Sequence, residues 1–260
     1  MNNKLLAALI ALLISLAFVA CGGKSGTAET NGEQETDGAE AVTILSHLDA
    51  VDFGYVRNAG GDGIIITYKT AFATDVVLPD RIENFPVTGF RAELFRTDEN
   101  VKSVTLPATV TAIPNNAFRG CAGLSDVTMP GVLTIGDHSF RGTGISSLTI
   151  PAVTTIGDSA FYETVITDIS MPEILSIGPN AFTNCFNLAK VIFGEKLTTI
   201  GTGAFEGCVN LTEINVPASL TTFTPHTWGD RYGRQFLNCH KLPLAVREKL
   251  TAQGYPGHGF

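Results

Sequence analysis

The chain has few cysteines and no excess of positive charge. Its 260 residues include five Cys, an odd and low number that excludes a small scaffold held together by disulfides. The 17 Lys and Arg are outnumbered by 25 Asp and Glu, so the formal net charge is −8. A chain of this sign is not drawn to nucleic acid by its phosphates, and we expect no nucleic-acid partner.

The motifs of common catalytic and cofactor sites are also missing. None of the five His belongs to an HExxH pair, and the sequence has no CxxC pair, no GxSxG, no P-loop and no GxGxxG after a strand. The acidic pair Asp98-Glu99 is better explained as solvated loop residues. We therefore predict a protein that is not an enzyme and has no catalytic residue, metal or cofactor.

One long apolar run lies near the N-terminus, from Leu5 to Ala20, after a short basic region and before Cys21-Gly-Gly. This arrangement is typical of a secretory signal rather than of a retained membrane span. The stretch Phe18-Val-Ala-Cys21 resembles the lipobox of bacterial lipoproteins, although Phe18 stands where Leu is usual. The resemblance implies that Cys21 is lipidated and becomes the mature N-terminus. The alternative is an ordinary secretory signal with an incidental cysteine.

Residues 22–41 predict a flexible acidic tether. They contain Gly, Ser, Thr, Gln and five acidic residues against Lys24 alone, with no apolar periodicity. Such a segment cannot offset the entropy lost on ordering. The remainder, 42–260, is mildly acidic and carries no obvious cationic patch.

A repeat of about 22 residues fills most of the chain. Short apolar alternations end in Pro107, Pro130, Pro151, Pro172 and Pro217, and Gly194 takes the same place once. An aromatic column recurs in register at Phe95, Phe118, Phe140, Phe161, Phe182 and Phe205. Between the two columns lies a short extended segment of the form Thr-x-Ile-Gly. Each alternation predicts a strand with one buried face, ended by its Pro. The apolar burial within one unit cannot offset the entropy that the unit loses on ordering, so the units must stack as a solenoid.

The pattern Leu124-x-x-Val127-x-Met129 resembles that of leucine-rich repeats. The whole unit, with its Ile-Gly-x-x-Ala-Phe-x-x-Cys phrase, resembles the BspA-like subclass over about residues 60–245. Two units depart from it, with Thr143 and Thr164 where others have Cys. The resemblance implies a mainly β fold, a right-handed coil of short parallel strands. It also implies adhesion and protein binding at a cell surface.

The two ends of the array differ from the repeat. We predict a signal peptide over 1–20, a tether over 21–41, an N-terminal β cap over 42–78, repeats over 79–243 and a C-terminal cap over 244–260. The last cap should contain an amphipathic helix between Leu242 and Gly254, with Leu244, Val246 and Leu250 as its apolar positions. The last repeat carries an insertion, because Phe236 and Cys239 stand eight residues further along the chain than the repeat spacing predicts.

A column of cysteines, Cys121, Cys185, Cys208 and Cys239, faces the predicted core. Metal-ligand spacing is absent. Cys185 and Cys208 would lie within reach of a bridge if their coils are adjacent. Small buried thiols are the better explanation of the column, and we predict that they are free.

Two regions are candidates for protein binding. The first is a flat sheet about six strands wide, formed by the exposed strand positions. These are mostly Ser and Thr, with the charged residues Lys102, Asp126, Asp168, Lys190 and Glu213 among them. The alternative is that Ser and Thr merely keep the sheet soluble. The second is the insertion, where Trp228, Arg231, Tyr232 and Arg234 are residue types typical of binding hot spots. The alternative there is a loop that caps the last coil.

Together these features predict a monomeric lipoprotein of the bacterial cell envelope. The expected membrane is the outer membrane, held through the N-terminal lipid, and the sequence leaves open whether the protein faces the surface or the periplasm. Its expected role is protein–protein interaction, such as adhesion to host or neighbouring-cell proteins. Its partners would then be extracellular or envelope proteins. The alternative is a structural scaffold of the envelope without a host ligand.

Overall fold

The computed structural model of the chain describes residues 43–44, 53–69, 73–224, 234–255 and 260. All of them belong to one unit, Glu40–Phe260. The predicted signal peptide, the predicted tether with Cys21 as its expected lipidation site, and the insertion residues Trp228, Arg231 and Tyr232 lie outside the described residues. Among the residues that are described, no helix is long and apolar enough to cross a membrane.

The N-terminal part forms a five-stranded sheet. The first six strands are β1 (Thr43–Ile44), β2 (Phe53–Arg57), β3 (Ile64–Lys69), β4 (Asp75–Val77), β5 (Arg81–Ile82) and β6 (Phe85–Phe90). Their order in the sheet is β1-β2-β3-β6-β5, without β4. The β3–β6 pair is parallel and the other pairs are antiparallel.

Each repeat contributes one strand to a front layer and one to a back layer. The front strands after β4 are β7 (Ser103–Thr105), β9 (Asp126–Thr128), β11 (Ser147–Thr149), β13 (Asp168–Met171), β15 (Lys190–Phe193) and β17 (Glu213–Ile214). The back strands are β8 (Ala112–Ile113), β10 (Thr134–Ile135), β12 (Thr155–Ile156), β14 (Ser176–Ile177), β16 (Thr199–Ile200) and β18 (Thr222–Phe223). All pairs within these layers are parallel, which confirms the predicted mainly β solenoid.

The aromatic column is a continuous stack of rings through the core. Seven Phe rings, all fully buried, follow one another with centroids 5.1–5.4 Å apart and planes within 16° of parallel: Phe95, Phe118, Phe140, Phe161, Phe182, Phe205 and Phe236. Phe236 continues the stack 5.4 Å from Phe205 although its repeat is eight residues longer. The expectation that the aromatic step arrives late is thereby confirmed.

The turn that carries each ring forms a third hydrogen-bonded strip. Ser159, Phe161 and Glu163 each donate their main-chain N–H to the coil that follows, at 2.8–3.0 Å. Ser159 and Glu163, two positions before and after the ring, have φ of 52° and 58°. In the coil of Phe205 the same two positions are Gly203 and Gly207. The left-handed conformation destabilises a non-Gly residue by about 1–2 kcal/mol. The hydrogen bonds between coils and the ring stacking offset this loss.

The cysteine column lies beside the ring stack, and its four members are buried and free. Each thiol donates to the main-chain oxygen of a Phe in the preceding coil, as in Cys185 to Phe161 at 3.0 Å. The hydroxyls of Thr143 and Thr164 instead donate to the Phe oxygen of their own coil, at 2.9 and 3.0 Å. Thr in this column therefore bonds to its own coil rather than to the preceding one, and the hydroxyl of Thr164 also lies 3.3 Å from Sγ of Cys185 in the following coil.

Both ends of the ring stack are closed by an aromatic residue. Phe90 packs edge-on against Phe95, with centroids 5.9 Å apart, and the ammonium of Lys69 lies 5.6 Å from the same ring. At the other end Tyr255 meets Phe236 edge-on at 5.6 Å. The predicted C-terminal helix is present as α1 (Leu244–Ala252), which is the only helix among the described residues.

Three details differ from the expectations. The front layer has seven strands rather than about six, because β4 pairs with β7. The strands do not divide at residue 78, since β4 joins the front layer while β5 and β6 join the N-terminal sheet. In α1 Leu250 is buried and Val246 half-buried, but Leu244 is 70% exposed and does not belong to the buried side.

Candidate protein-binding face

The front layer presents a flat face whose outward side chains are in register from strand to strand. In each strand the central apolar residue is buried, and the residue on either side of it points outward. Asp168, for example, is opposite Ser147 on one side and Lys190 on the other. Adjacent strands are about 4.8 Å apart, so the outward side chains form rows across the layer. This arrangement brings Asp126, Asp168, Lys190 and Glu213 into one such row.

Charged residues are spread along this face, and Asp168, Lys190 and Glu213 lie at its C-terminal end. The ammonium of Lys190 lies 2.7 Å from the carboxylate of Glu213, and the two side chains are 43% and 64% exposed. The hydrogen bond from Lys190 to Glu213 raises the pKa of Lys190, with Asp168 as a further, smaller cause. Asp126 is exposed on the same row, whereas Lys102 is exposed at the position just before β7.

The hydroxyl groups at the entry to the strands have structural hydrogen bonds. Thr167 and Thr212 donate from Oγ1 to a main-chain oxygen of the preceding coil, at 3.4 and 3.3 Å, and Ser125 does so at 3.5 Å. Thr105, Thr128 and Thr149, which follow the buried position, are exposed as well. Both groups therefore belong to the hydroxyl surface that is open to a partner.

The hydrogen-bonded ladder of the front layer is interrupted once. The seven strands form two sheets, β4-β7-β9 and β11-β13-β15-β17, and no hydrogen-bonded ladder joins β9 to β11. The interruption coincides with a change of corner, from Cys121-x-x-Leu124 to the shorter Thr143-x-Ile145. It leaves a groove of about 480 Å³ that is lined by Asp126, Thr128, Ser147, Thr149 and their neighbours.

A second groove, of about 500 Å³, lies over β15 and β17 at the C-terminal end of the face. Its walls include Lys190, Ile192, Glu213 and Ile214 on one side and Val246 of α1 on the other. The layer ends here because the chain enters α1 where a further front strand would begin. In the preceding coil β17 begins at Glu213, two residues after the buried Leu211. In the last coil α1 begins at Leu244, two residues after the buried Leu242, so the helix starts at the same position of the repeat.

Of the predicted hot-spot residues in the insertion, only Arg234 is described. Its guanidinium lies 3.4 Å from the carboxylate of Glu206, in the turn of the preceding coil. Residue 235, next to it, is a fully buried Gln at the position that is Ala in most coils. This side chain donates from Nε2 to the main-chain oxygen of Thr224 at 2.9 Å, and so ties the two described ends of the insertion together.

Two residues of the face make hydrogen bonds that the sequence does not predict. Asn215 donates from Nδ2 to the main-chain oxygen of Phe193 at 2.9 Å and accepts its N–H at 2.6 Å. Asp75 accepts a hydrogen bond from Ser103 at 2.6 Å, and this bond lowers the pKa of the carboxyl. The signal for Asn215 is an amide where the other front strands have Thr, Ser or Ile. The signal for Asp75 lies only in the Asp-Val-Val alternation of β4.

The described residues do not contain a group of three or more His, Cys, Asp and Glu side chains that could hold a metal ion. The four thiols sit deep in the core instead. Burial raises the pKa of Cys121 and Cys185 to about 11 and that of Cys239 to about 12, and it raises the pKa of Cys208 as well. A buried protonated thiol of this kind is a poor nucleophile.

Comparisons with known proteins place this architecture in context. The profile of the BspA type leucine-rich repeat region matches six copies within residues 88–173 and 131–242. The solved structure of a leucine-rich repeat protein from T. pallidum is 30% identical with a TM-score of 0.71, and the match covers 79% of this chain and 95% of that one. No curated protein matches the sequence significantly.

Two further structures share the fold at lower identity. A leucine-rich cell surface protein from Faecalibacterium prausnitzii is 24% identical with a TM-score of 0.65, over 79% of this chain and 54% of that one. A leucine-rich repeat protein from Bacteroides ovatus is 19% identical with a TM-score of 0.54, over 76% and 69% of the two chains.

Proposed function

We propose that this chain, which belongs to the BspA-type leucine-rich repeat family, is a bacterial cell-envelope protein that binds other proteins through its front face. It acts as a monomer and without catalysis. Solenoids of stacked repeats use their extended, rigid surfaces in this way, because each repeat adds a further strip to the same face.

The observation that carries the proposal is the in-register, outward-facing surface of the front layer. Thr128, Thr149, Asp168 and Glu213 are exposed, while the apolar residues next to them form the core. A flat array of short polar side chains with a few charges suits many weak contacts that together give useful avidity. The groove between β9 and β11 adds a concave feature near the middle of this array.

The finer parts of the proposal concern location and ligand. We propose that Cys21 carries the lipid anchor, that residues 22–41 form the tether, and that the protein is displayed from the outer membrane. Adhesion to host or neighbouring-cell proteins is the role that follows. Trp228, Arg231, Tyr232 and Arg234 are proposed as additional contacts, because these side-chain types dominate hot spots.

The binding test uses a matched pair of bulky, charged substitutions. Thr149→Arg places a long cation in the centre of the front face, and Thr155→Arg places the same side chain at an exposed position of the back layer. Both proteins are first checked by circular dichroism and thermal unfolding. Their binding to immobilised extracellular-matrix proteins and to envelope extracts of neighbouring bacteria is then measured.

We expect Thr149→Arg to weaken binding about tenfold or more and Thr155→Arg to leave it unchanged. Equal binding by both variants, with the wild-type melting temperature, would contradict a front-face site.

The location of the protein is tested separately. Protease treatment of intact cells should release the protein, and Cys21→Ser should shift it from the membrane to the soluble fraction. Protection from protease would instead favour an inward-facing scaffold.

A further inference from the structure

Three arginines form a row on the strip of turns that carries the Phe rings. Arg96, Arg119 and Arg141 each follow directly after a ring of the stack, in three consecutive coils. Main-chain hydrogen bonds hold these turns in register, because Thr97 donates its N–H to Arg119 and Gly120 donates to Arg141, both at 2.8 Å. The strip is a third side of the solenoid, separate from the front and back layers.

The spacing of this arginine row is set by the rings beneath it. The centroids of Phe95 and Phe118 are 5.1 Å apart and those of Phe118 and Phe140 are 5.2 Å apart, so the row spans about 10 Å. Like charges directly opposite one another on adjacent strands are destabilising. The repeat does not require arginine at this position, since the next two coils have Tyr162 and Thr183 there.

Two of the three guanidinium groups have no carboxylate partner in the part of the chain that the structure describes. Arg119 donates to the amide oxygen of Asn116 at 3.3 Å, and Arg141 lies over the ring of Tyr162, 4.3 Å from its centroid. Arg96 has an exposed ion pair within its own turn, at 2.9 Å. A guanidinium has five N–H donors, so most donors of the row are open to an anion.

The row is short, and acidic residues limit its extent. Glu93 already pairs with Arg96 at one end, although an exposed pair of this kind is weak and can be exchanged. Beyond the other end Glu163 is exposed, and Glu206 occupies the arginine position two coils after Tyr162. A long polyanion that continued along the strip would meet these carboxylates. A short anionic segment of about the length of the row would not.

The spacing of the row matches the acidic face of an α-helix. Residues i, i+4 and i+7 lie on one face of a helix and span about 10.5 Å along its axis. Carboxylates on alternate residues of an extended strand would span about 13 Å instead. Arginine binds a carboxylate through two parallel N–H···O bonds, which favours one Asp or Glu for each guanidinium. A helix along the solenoid axis therefore places one carboxylate over each arginine.

We propose that the arginine row binds a helical segment of a protein partner that carries Asp or Glu at positions i, i+4 and i+7. The helix lies across the turns, in the direction of the ring stack. Its carboxylates bind the guanidinium groups of Arg119 and Arg141 and compete with Glu93 for Arg96. The site is separate from the front layer, so the inference goes beyond the proposed function of that face.

The test uses the full chain and three fluorescent, lactam-bridged helical peptides. Polarisation is measured at an ionic strength of about 0.01 M, where screening is weak. The first peptide carries Glu at positions i, i+4 and i+7, the second carries the same three Glu at i, i+2 and i+5, and the third carries Gln at the first set of positions. We expect the first peptide to bind about tenfold more tightly than each of the others.

Two charge-reversal variants provide a matched comparison. Arg119→Glu reverses the centre of the row, and Lys249→Glu makes the same change of charge at an exposed position of α1. Arg119→Glu should abolish the preference for the first peptide, whereas Lys249→Glu should change its affinity by less than about twofold. Arg141→Gln removes one charge without reversing it and should weaken the first peptide about threefold. Thermal unfolding checks that each variant is folded.

The outcomes separate this inference from the proposed function. Equal affinity for the first and second peptides, or no binding at about 1 mM, overturns the inference. Binding of a sulfated polysaccharide that Arg119→Glu abolishes, without any preference among the peptides, overturns it in favour of a glycan. Thr149→Arg should leave all peptide affinities unchanged. If the peptide preference holds while Thr149→Arg has no effect on whole partners, the arginine row stands and the front face is not the binding surface.

Discussion

Removing one ring from the middle of the Phe stack should weaken the whole solenoid. Phe161 is fully buried, and its ring centroid lies 5.3 Å from that of Phe140 and 5.1 Å from that of Phe182. Truncation of a buried Phe to Ala costs about 3–5 kcal/mol through lost burial and the cavity that remains. Stacked aromatic pairs contribute about 0.5–1.5 kcal/mol each beyond burial, and Phe161 takes part in two of them. We therefore expect Phe161→Ala to lower the free energy of unfolding by about 4–8 kcal/mol.

Urea unfolding followed by circular dichroism measures this loss, and the chain offers a matched control. Phe186 belongs to the next coil but is 54% exposed, so Phe186→Ala should cost about 1 kcal/mol or less. In a solenoid each coil is stabilised by its neighbours, so the lost ring also weakens the coils of Phe140 and Phe182. A cost for Phe161→Ala no larger than that for Phe186→Ala would refute the view that the rings couple the coils.

Three further predictions follow from other features. Glu163→Gly should stabilise the protein by about 0.5–1 kcal/mol, because Glu163 is held at a φ of 58°, whereas Gly207→Ala at a φ of 75° should destabilise it; urea unfolding compares the two. The thiols of Cys185 and Cys239 should resist iodoacetamide at pH 8 in the folded protein and react after denaturation; as the pH rises from about 9 to about 11, stability should fall, since unfolded thiols lose protons that the folded ones keep. Rapid alkylation of the native protein would contradict this burial. Lys190→Ala should change the free energy of unfolding by less than about 0.5 kcal/mol, because its ion pair with Glu213 is exposed, and a larger loss would show that the pair is structural.

The repeat made the core predictable. Because the ring column recurs in register with the strand alternation, the stack from Phe95 to Phe205 follows from spacing alone, and so does the late return of Phe236. The Thr-x-Ile segments likewise fall where the back strands lie, as in β8 and β12.

Features that depend on one coil meeting another were not predictable. The separation of β9 from β11 reflects two neighbouring corners of unequal length, and each corner looks ordinary within its own repeat. The left-handed conformations of Ser159 and Glu163 arise from hydrogen bonds to the next coil rather than from local propensity. β4 lacks the rest of the repeat pattern, so only its pairing with β7 identifies it as part of the face.

The longer repeat before Phe236 has a consequence for how such chains diversify. Thr224 and Gln235 are joined by a hydrogen bond across the insertion, and the ring that follows stacks 5.4 Å from Phe205, close to the 5.1–5.3 Å of the other pairs. The register of the core is thus kept on both sides of the extra residues. Such a junction allows a surface loop to be lengthened, shortened or exchanged in one genetic step. New binding specificities can then arise while the packing of the core is unchanged.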